Sequence, residues 1–384
     1  MDMLPGGPRL TRLIARDFRN HVDLDLATTR RFVALVGENG AGKTNILEAV
    51  SLFCPGRGLR RADLATMARV GGPGGFAVSA TLEASEAEHR FGSGYEPPGY
   101  DGRSTRVCRI DGANAPSPVA FSEFLRIVWL TPDFDGLFRG AAGDRRRFLD
   151  RLVLAVDAGH GARVSAMERA LRSRNRLLDE RPDDGRWLDA VEREVAELGV
   201  AVALARRETV ERLDRLIAET RDDAAPFPWA SLRLEGDLDD LVAVWPALEA
   251  EDRFRRALMQ GRHRDRAAGR TLIGPQTTDL VVRHGPKDVP AATASTGEQK
   301  ALLIGLVLAH ARLVRAMSGL APLILLDEVA AHLDPRRRGG LFDALEALEG
   351  QVWMTGADPA LFAELEGRAD LIGVADGRLV PAGA

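Results

Sequence analysis

The stretch FVALVGENGAGKTNILEAV, residues 32–50, decides how this chain folds around its most distinctive motif. An apolar run typical of a strand leads into the pattern GxxxxGKT at residues 37–44, and a helix is predicted from about residue 42 to residue 52. Glycines let backbone N–H groups wrap around phosphate oxygens, and the helix N-terminus adds partial positive charge. The pattern therefore predicts an ATP site formed by Gly37, Glu38, Asn39, Gly40, Ala41, Gly42, Lys43, Thr44 and Asn45.

Two side chains of this loop are predicted to take part in the chemistry. Lys43 is expected to reach the β- and γ-phosphates, and Thr44 is expected to bind Mg²⁺. A glycine-rich turn without a ligand is the plainer alternative. The strand before the loop and the helix after it favour the phosphate-binding interpretation.

A second apolar run, PLILLDE at 322–328, ends in two carboxylates. Asp327 at the strand end is predicted to hold Mg²⁺ through water, and Glu328 is predicted to polarise the attacking water. By itself, a buried strand with a charged end is common. Together with the phosphate-binding loop it predicts a hydrolytic site in which Lys43 and Glu328 are catalytic.

The segment ASTGEQKALL at 294–303 has two interpretations. Ser295 and Glu298 have the spacing of a capping box before an apolar helix, which is a structural role. A capped helix start with Gly297 is also an anion site. The order of this helix, the acidic strand and HLD at 332–334 after the loop resembles that of ABC ATPases.

The ABC resemblance implies that Ser295, Gly297 and Glu298 contact ATP bound to a second copy of the chain. Ser295 and Gly297 match the serine and the second glycine of the ABC signature, whereas Ala294 and Thr296 replace its leucine and first glycine. The expected assembly is a head-to-tail homodimer with two composite sites.

Length and composition restrict the remaining classes of protein. The 384 residues predict more than one core, and the two cysteines do not form a disulfide framework. The N-terminal residues have no apolar signal segment, and the run at 301–314 is predicted to be a buried helix that does not span a membrane. A net charge of −4 means that any nucleic-acid site is a local basic patch.

The predicted fold is α/β: a discontinuous ABC-type P-loop ATPase head with an inserted helical lobe. The head, or lobe I, is assigned to residues 10–138 and 270–380, and lobe II to residues 139–269. One long helix is predicted at 186–222, and a Gly/Pro-rich loop at 92–102. Strands are predicted at 10–17, 21–26, 32–36, 76–84, 105–111, 126–131, 279–283, 323–327, 351–355 and 371–375.

A closer resemblance is to the RecF family, in the SMC-like branch of the ABC ATPases. The matching segments are DFRNH at 17–21, GENGAGKTNILEA at 37–49, GRGLRR at 56–61, RRRFLDRL at 145–152, RSRNRLL at 172–178, GPQTTDL at 274–280 and STGEQKALL at 295–303. The resemblance implies a cytoplasmic protein that binds gapped DNA or a single/double-strand junction as an ATP-bound dimer. It further implies work with RecR and RecO to load RecA, and no membrane partner.

The chain departs from these families at three places. RecF proteins usually have His-Arg where this chain has Gln276 and Thr277. WLTPDF at 129–134 stands where transporter ATPases have a glutamine loop, as in RecF proteins. The switch histidine of transporter ATPases is absent, and MTGAD at 354–358 occupies its place. Hydrolysis is therefore predicted to be slow.

Arginines form several local clusters, at 57–61, 145–147, 172–176 and 253–270. Most charge runs are solvated helix faces. The group Arg57, Arg60 and Arg61 follows the phosphate-loop helix, so it is the predicted DNA contact that responds to nucleotide. Two alternatives remain: an ABC transporter motor, which the long insert and missing glutamine disfavour, and a nucleotide-gated clamp without useful turnover.

Overall fold

The computed structural model describes residues 7–84, 87–97 and 105–382. Its strands are β1 (Arg9–Phe18), β2 (His21–Ala27), β3 (Phe32–Val36), β4 (Phe76–Ala84), β5 (Ala87–Glu96), β6 (Thr105–Ile110), β7 (Ala113–Ala115), β8 (Ile127–Leu130), β9 (Ala230–Glu235), β10 (Asp279–His284), β11 (Val289–Pro290), β12 (Leu323–Leu326), β13 (Val352–Gly356), β14 (Ala369–Ala375) and β15 (Arg378–Val380). Its α-helices are α1 (Lys43–Ser51), α2 (Leu64–Met67), α3 (Ala142–Val156), α4 (His160–Glu180), α5 (Gly185–Glu219), α6 (Asp237–Val244), α7 (Ala247–Ala268), α8 (Thr296–Ser318) and α9 (Pro335–Ala347).

The described chain forms two compact units. Unit 1 contains Met1–Asp135, Ala224–Phe227 and Leu303–Ala384, and unit 2 contains Gly136–Asp223 and Pro228–Leu302. Unit 1 is therefore discontinuous in sequence, and its architecture is the α/β class predicted for the head.

Unit 1 has two six-stranded sheets. The first is antiparallel, in the order β2-β1-β4-β5-β6-β7, and the second has the order β15-β14-β3-β13-β12-β8, with parallel pairing from β14 to β8. In the second sheet β3 lies between β14 and β13, and β12 follows β13. This order brings the carboxyl ends of β3, β12 and β13 to one edge, where ligands bind in open α/β sheets.

The buried side-chain amide of Gln351 helps to join the two sheets of unit 1. Leu10 pairs with Leu82 of β4, but the ladder of β1 with β2 begins only at Arg12, so on that side Leu10 needs hydrogen-bond partners from elsewhere. Gln351 supplies both: its Oε1 accepts from Leu10 N at 2.9 Å, and its Nε2 donates to Leu10 O at 2.9 Å. The Oε1 atom also accepts from Trp353 Nε1 at 3.0 Å. The buried Gln351 therefore fixes how β1 meets β13.

Strand β5 corrects the prediction of a loop at 92–102. It continues to Glu96 because Phe91, Ser93 and Tyr95 point into the core in strict alternation. Gly94 allows this strand to approach β4 closely, since a Cβ there would lie 2.9 Å from the carbonyl oxygen of Phe76. The rest of that predicted loop, residues 98–102, and the N-terminal residues 1–6 lie outside the described residues.

Unit 2 combines long helices with a three-stranded sheet of order β11-β10-β9. The long helix predicted at 186–222 is α5, Gly185–Glu219. Residues 270–302, which the sequence assigned to the head, pack in unit 2 because β10 pairs antiparallel with β9 of the insert.

Buried ion pairs hold the helices of unit 2 together. Arg174 on α4 is fully buried, and its guanidinium lies 3.0 Å from Glu192 of α5 and 2.7 Å from Asp265 of α7. Removing one partner of such a group leaves an uncompensated buried charge. Arg174 therefore has a structural role within unit 2.

Helix α8 contains the run predicted to be a buried helix. It is long and apolar enough to cross a membrane, with a mean hydropathy of 1.5 over 18 residues, but 67% of that window is buried inside the structure. Helices in the core of a folded protein can have the same length and apolar composition, so this helix is weak evidence for a membrane span.

Candidate nucleotide site

The phosphate-binding loop lies between the end of β3 and the start of α1. Gly37, Gly40 and Gly42 have φ values of 153°, 85° and 114°, a region in which side chains are strained. A Cβ on Gly37 would lie 2.1 Å from the carbonyl oxygen of Val374, whereas no heavy atom lies within 4 Å of the Cβ position of Gly40. The loop is thus packed at its base and open at its tip, where Glu38, Asn39 and Gly40 are exposed.

Lys43 folds back over this loop. Its Nζ donates to the carbonyl oxygens of Gly37 at 2.7 Å and Glu38 at 2.8 Å, and the residue is only 4% exposed. Burial lowers the pKa of Lys43, while the nearby carboxylates of Glu328 and Asp327 raise it. A cation held by neutral carbonyl groups at the start of a helix is well placed to bind an anion.

Thr44 and Asp327 meet although 283 positions separate them in sequence. The Oγ1 atom of Thr44 donates to Oδ1 of Asp327 at 2.9 Å. Burial raises the pKa of Asp327, and the hydrogen bonds from Thr355 and Thr44 lower it. The two residues predicted to hold Mg²⁺ therefore share one point at the sheet edge.

Thr355, the threonine of the MTGAD segment, is a neighbour of the site that sequence reasoning did not assign. It lies near the end of β13 and is 1% exposed. Its Oγ1 donates to Oδ1 of Asp327 at 2.8 Å and accepts from the backbone N–H of Glu328 at 2.9 Å. The signal available in the sequence was its position, because a parallel strand that pairs with β3 ends beside the phosphate loop.

The DFRNH segment runs from the end of β1 to the start of β2, and its side chains form hydrogen bonds with the phosphate loop and α1. Asn20 Nδ2 donates to the carbonyl oxygen of Ala41 at 3.1 Å, and its Oδ1 accepts from Asn45 Nδ2 at 2.8 Å. His21 is fully buried, and its Nε2 lies 3.2 Å from the carbonyl oxygen of Gly42. The sequence marked this segment only as a family resemblance, and its contacts give it a role in shaping the loop.

Arg60 is held against the phosphate-loop helix. It donates to Oδ1 of Asn45 at 2.7 Å and to Oε2 of Glu48 at 3.1 Å, and Arg19 adds a bidentate pair to the same buried Glu48. Arg57 is exposed and pairs with Asp63 at 3.2 Å, and Arg61 is exposed with φ 55°. Of the three predicted DNA contacts, Arg60 thus has a structural partner that is close to the nucleotide site.

Other arginine clusters are partly internal. Arg174 is buried, as described above, and Arg145 forms a bidentate pair with Asp279 at 2.7 Å. Arg172 and Arg176 on the same helix as Arg174 are exposed. A cluster of arginines in the sequence is therefore not one surface in the structure.

The Ser295–Glu298 segment forms the predicted capping box in unit 2. Ser295 N donates to Glu298 Oε2 at 3.0 Å, and Glu298 N donates to Ser295 Oγ at 3.4 Å. The hydrogen bond from Lys287, followed by those from Ser295, lowers the pKa of Glu298 to about 2. Ser295 and Gly297 are exposed, and no heavy atom lies within 4 Å of the Cβ position of Gly297.

The side chains of Gln276 and Thr277, at which the chain departs from the RecF pattern, form hydrogen bonds to the backbone of their own turn. Gln276 Nε2 donates to the carbonyl oxygens of Ile273 at 2.8 Å and Thr271 at 3.3 Å. Thr277 Oγ1 donates to the carbonyl oxygen of Gly274 at 2.7 Å. Both side chains thus stabilise the turn that leads into β10.

Comparison with known proteins shows which proteins this chain resembles. The model of the RecF/RecN/SMC N terminal domain matches residues 9–377. The DNA replication and repair protein RecF of Mesorhizobium japonicum is 52% identical over 378 residues, covering 98% of this chain and 99% of that protein. The RecF of Rhizobium meliloti is 53% identical over 370 residues, covering 96% and 98%.

Solved structures agree with this fold. The recombination mediator protein RecF-ATPrS of the RecFOR pathway superposes with a TM-score of 0.83 at 19% identity, over 97% of this chain and 98% of the other. The Smc head domain with an extended coiled coil from Pyrococcus furiosus has a TM-score of 0.51 at 18% identity, over 97% and 96%. The family match and the full-length relatives together show that the chain belongs to the RecF family of DNA replication and repair proteins, within the ABC-type ATPases of the SMC-like branch.

Proposed function

We propose that the chain binds ATP with Mg²⁺ at the 37–45 loop and hydrolyses it slowly, and that ATP binding assembles a head-to-tail dimer on DNA. The observation that carries this proposal is the 2.9 Å hydrogen bond between Thr44 and Asp327, beside Lys43. It brings the loop that binds phosphate and the strand that ends in carboxylates to one point.

The residues at this point fit a magnesium ion. Thr44 offers a hydroxyl oxygen and Asp327 a buried carboxylate, and hard oxygen ligands of this kind suit Mg²⁺. When bound, the ion neutralises charge on the β- and γ-phosphates. The Thr44–Asp327 contact keeps both oxygens in register before the ion arrives.

The chain's own side chains account for the rest of the reaction. In this structure Lys43 is hydrogen-bonded to two carbonyl groups of its loop. With ATP bound, its charge is expected to stabilise the negative charge that develops on the phosphates in the transition state. Glu328 follows Asp327 at the strand end and is expected to orient a water molecule and accept its proton. The chain has MTGAD where transporter ATPases have a histidine, which favours slow turnover.

A second copy of the chain is expected to complete each site. Ser295 and Gly297 are exposed at the N-terminus of α8, where the helix dipole favours an anion, although the Ser295 N–H is donated to Glu298 in this structure. Gly297 leaves open space in which a phosphate of another protomer's ATP fits. These features favour a contact between chains, in addition to the capping role that the Ser295–Glu298 hydrogen bonds show.

Membership of the family supports a proposal for the cellular role. We propose a cytoplasmic protein that binds gapped DNA or single/double-strand junctions as an ATP-bound dimer, and that supports RecA loading together with RecO and RecR. Exposed Arg57 and Arg61 are its proposed phosphate contacts. The two relatives compared above are DNA replication and repair proteins that match over 99% and 98% of their length, which argues against the transporter-motor alternative.

ATP turnover and sedimentation, each measured with and without gapped DNA, test this function. We expect slow Mg²⁺-dependent turnover, a dimer with ATP and faster turnover with DNA. Binding and dimerisation without turnover would instead support the clamp alternative. Absence of ATP binding would overturn the proposal.

A further inference from the structure

The hydroxyl group of Thr355 contacts both carboxylate residues of the site. It donates its proton to Oδ1 of Asp327 at 2.8 Å and accepts the backbone N–H of Glu328 at 2.9 Å. Thr355 lies on β13, while the two acidic residues follow β12, its parallel neighbour. The side chain is therefore a link between two strand ends, and it is 1% exposed.

Glu328 has an unusual backbone conformation that this link stabilises. Its φ is 53°, in the left-handed region that few residues other than glycine adopt. Such a conformation persists only where the surroundings hold it. The Thr355 hydroxyl accepts the Glu328 N–H, so it fixes the direction in which the chain, and with it the Glu328 side chain, leaves the strand.

Asp327 is held by two hydroxyl groups on a single oxygen. Thr44 donates to Oδ1 from the phosphate-loop helix, and Thr355 donates to the same Oδ1 from β13. With two donors from different elements, the carboxylate has one orientation relative to the phosphate loop. Loss of the Thr355 donor would leave the carboxylate held by Thr44 alone, so its orientation would be less fixed.

From these contacts we propose that Thr355 is a positioning residue for hydrolysis: its single hydroxyl sets the orientation of both Asp327 and Glu328. The role rests on the proposed ATPase function and assigns a task to the segment that replaces the switch histidine. The two hydrogen bonds of the Thr355 hydroxyl group go to Asp327 and Glu328 and not to the 37–45 loop, so we expect its effect on turnover rather than on ATP affinity.

Two substitutions at this position separate the hydroxyl from the rest of the side chain. Thr355→Val keeps the shape but can neither donate to Asp327 nor accept from Glu328, and Thr355→Ser keeps the hydroxyl. For Thr355→Val we expect kcat to fall at least about tenfold, with KM for ATP within about threefold of wild type. For Thr355→Ser we expect kcat within about threefold of wild type.

Thr28 supplies a matched control in unit 1. It is also a buried threonine whose hydroxyl donates once, to Leu10 O, and accepts once, from Gln351 Nε2. Thr28→Val therefore loses the same kind of bonds away from the site. We expect its melting temperature to fall about as much as that of Thr355→Val, with kcat unchanged.

Hydrogen exchange gives a readout that does not depend on activity. In the protein without nucleotide, Thr355→Val removes the acceptor of the Glu328 N–H, so the peptide containing Glu328 should exchange faster than in wild type and in Thr355→Ser. Thr28→Val should leave that peptide unchanged. If Thr355→Val does not fold, Thr355→Ala, which only removes atoms, serves in both measurements with the same expected losses.

The outcomes distinguish this inference from the function on which it rests. A wild-type protein that binds ATP but shows no turnover would overturn the proposed hydrolysis. Turnover in wild type together with an unchanged kcat in Thr355→Val would overturn the positioning role alone. Equal loss in Thr355→Val and Thr355→Ser would also overturn it, because the hydroxyl would then not be the group that matters.

Discussion

His21 joins the last glycine of the phosphate loop to a turn near the end of the chain. Its Nε2 lies 3.2 Å from the carbonyl oxygen of Gly42, and its Nδ1 lies 2.7 Å from that of Gly377. Gly377 N in turn donates to Ala41 O at 2.9 Å. The phosphate loop is therefore held between β2 and the turn after β14. A side chain at position 42 would be strained by the φ of 114°, and its Cβ would lie 2.7 Å from Asn20 Nδ2.

Substitution His21→Ala should weaken ATP binding. Without the ring, the Gly42 carbonyl loses its contact and the loop samples conformations that do not bind phosphate. Loss of one buried hydrogen bond and its packing predicts a dissociation constant about tenfold higher. Titration with a fluorescent ATP analogue measures it. His89 of β5, three strands from β2 in the same sheet, pairs with Asp111 and supplies the control His89→Ala. Equal affinities in both variants would contradict the role of His21.

Substitution Lys43→Arg should nearly abolish hydrolysis. A guanidinium cannot take the place of the Nζ atom that bonds to the Gly37 and Glu38 carbonyls, so the charge misses the phosphate oxygens in the transition state. We expect turnover to fall at least about a hundredfold, measured by phosphate release. Turnover within about threefold of wild type would show that this loop is not the active site.

Substitution Glu328→Gln should keep ATP binding and stall hydrolysis. The amide cannot accept a proton from water, while the backbone at φ 53° and its bond to Thr355 remain. Because ATP is then not consumed, the dimer that it stabilises should last longer. Light scattering with MgATP measures the mass. A Glu328→Gln protein that stays monomeric while saturated with ATP contradicts ATP-driven dimerisation.

The arginines after α1 should divide into two classes. All three are exposed, but Arg60 is also held by α1, so replacing Arg57 and Arg61 with alanine should weaken DNA binding and reduce the slope of log affinity against log salt by about 2. Arg60→Ala should instead affect ATP turnover, because Arg60 is bonded to Asn45 and Glu48 of α1. Fluorescence anisotropy of labelled DNA over a salt series measures the slopes. An unchanged slope would show that Arg57 and Arg61 lie on a solvated face and do not contact DNA.

The sequence predicted those parts of the site whose chemistry is local. Residues 37–44 carry the loop within one strand–turn–helix unit, and Asp327 follows from an apolar run that ends in acid. His21 and Thr355 were missed because their partners are remote: 356 positions separate His21 from Gly377, and 28 separate Thr355 from Asp327. Strand order in the second sheet creates the Thr355 contact, and the meeting of β2 with the turn after β14 creates the His21 contact. Local periodicity encodes neither.

Parts of the fold were also missed because they depend on contacts between residues far apart in the sequence. β-Branched and apolar runs predicted β1, β2 and β4, but Gly92 and Gly94 concealed the continuation of β5, in which Gly94 allows close strand approach and does not form a turn. Arginines 172–176 share a sequence cluster, yet Arg174 is buried by acids from α5 and α7 that no local pattern reveals. Residues 270–302 pack in unit 2 through pairing between β10 and β9, which is again a long-range contact.

Mixed dimers test whether Ser295 contributes to a second chain's site. In a head-to-tail dimer, Lys43 of one copy meets Ser295 of the other, twice. A dimer of Lys43→Arg, or one of Ser295→Arg, has two damaged sites and should be nearly inactive. In a mixed dimer one site receives both substitutions and the other receives neither. Wild-type mixtures with each variant serve as controls for pairing.

Equal amounts of the two inactive variants should therefore recover activity. Random pairing makes about half of the dimers mixed, each with one intact site, so turnover should return to about a quarter of wild type when sites act independently. Phosphate release measures this, and differently tagged chains show that mixed dimers form. Mixed dimers without any recovery would leave Ser295 with only the capping role that its hydrogen bonds to Glu298 show.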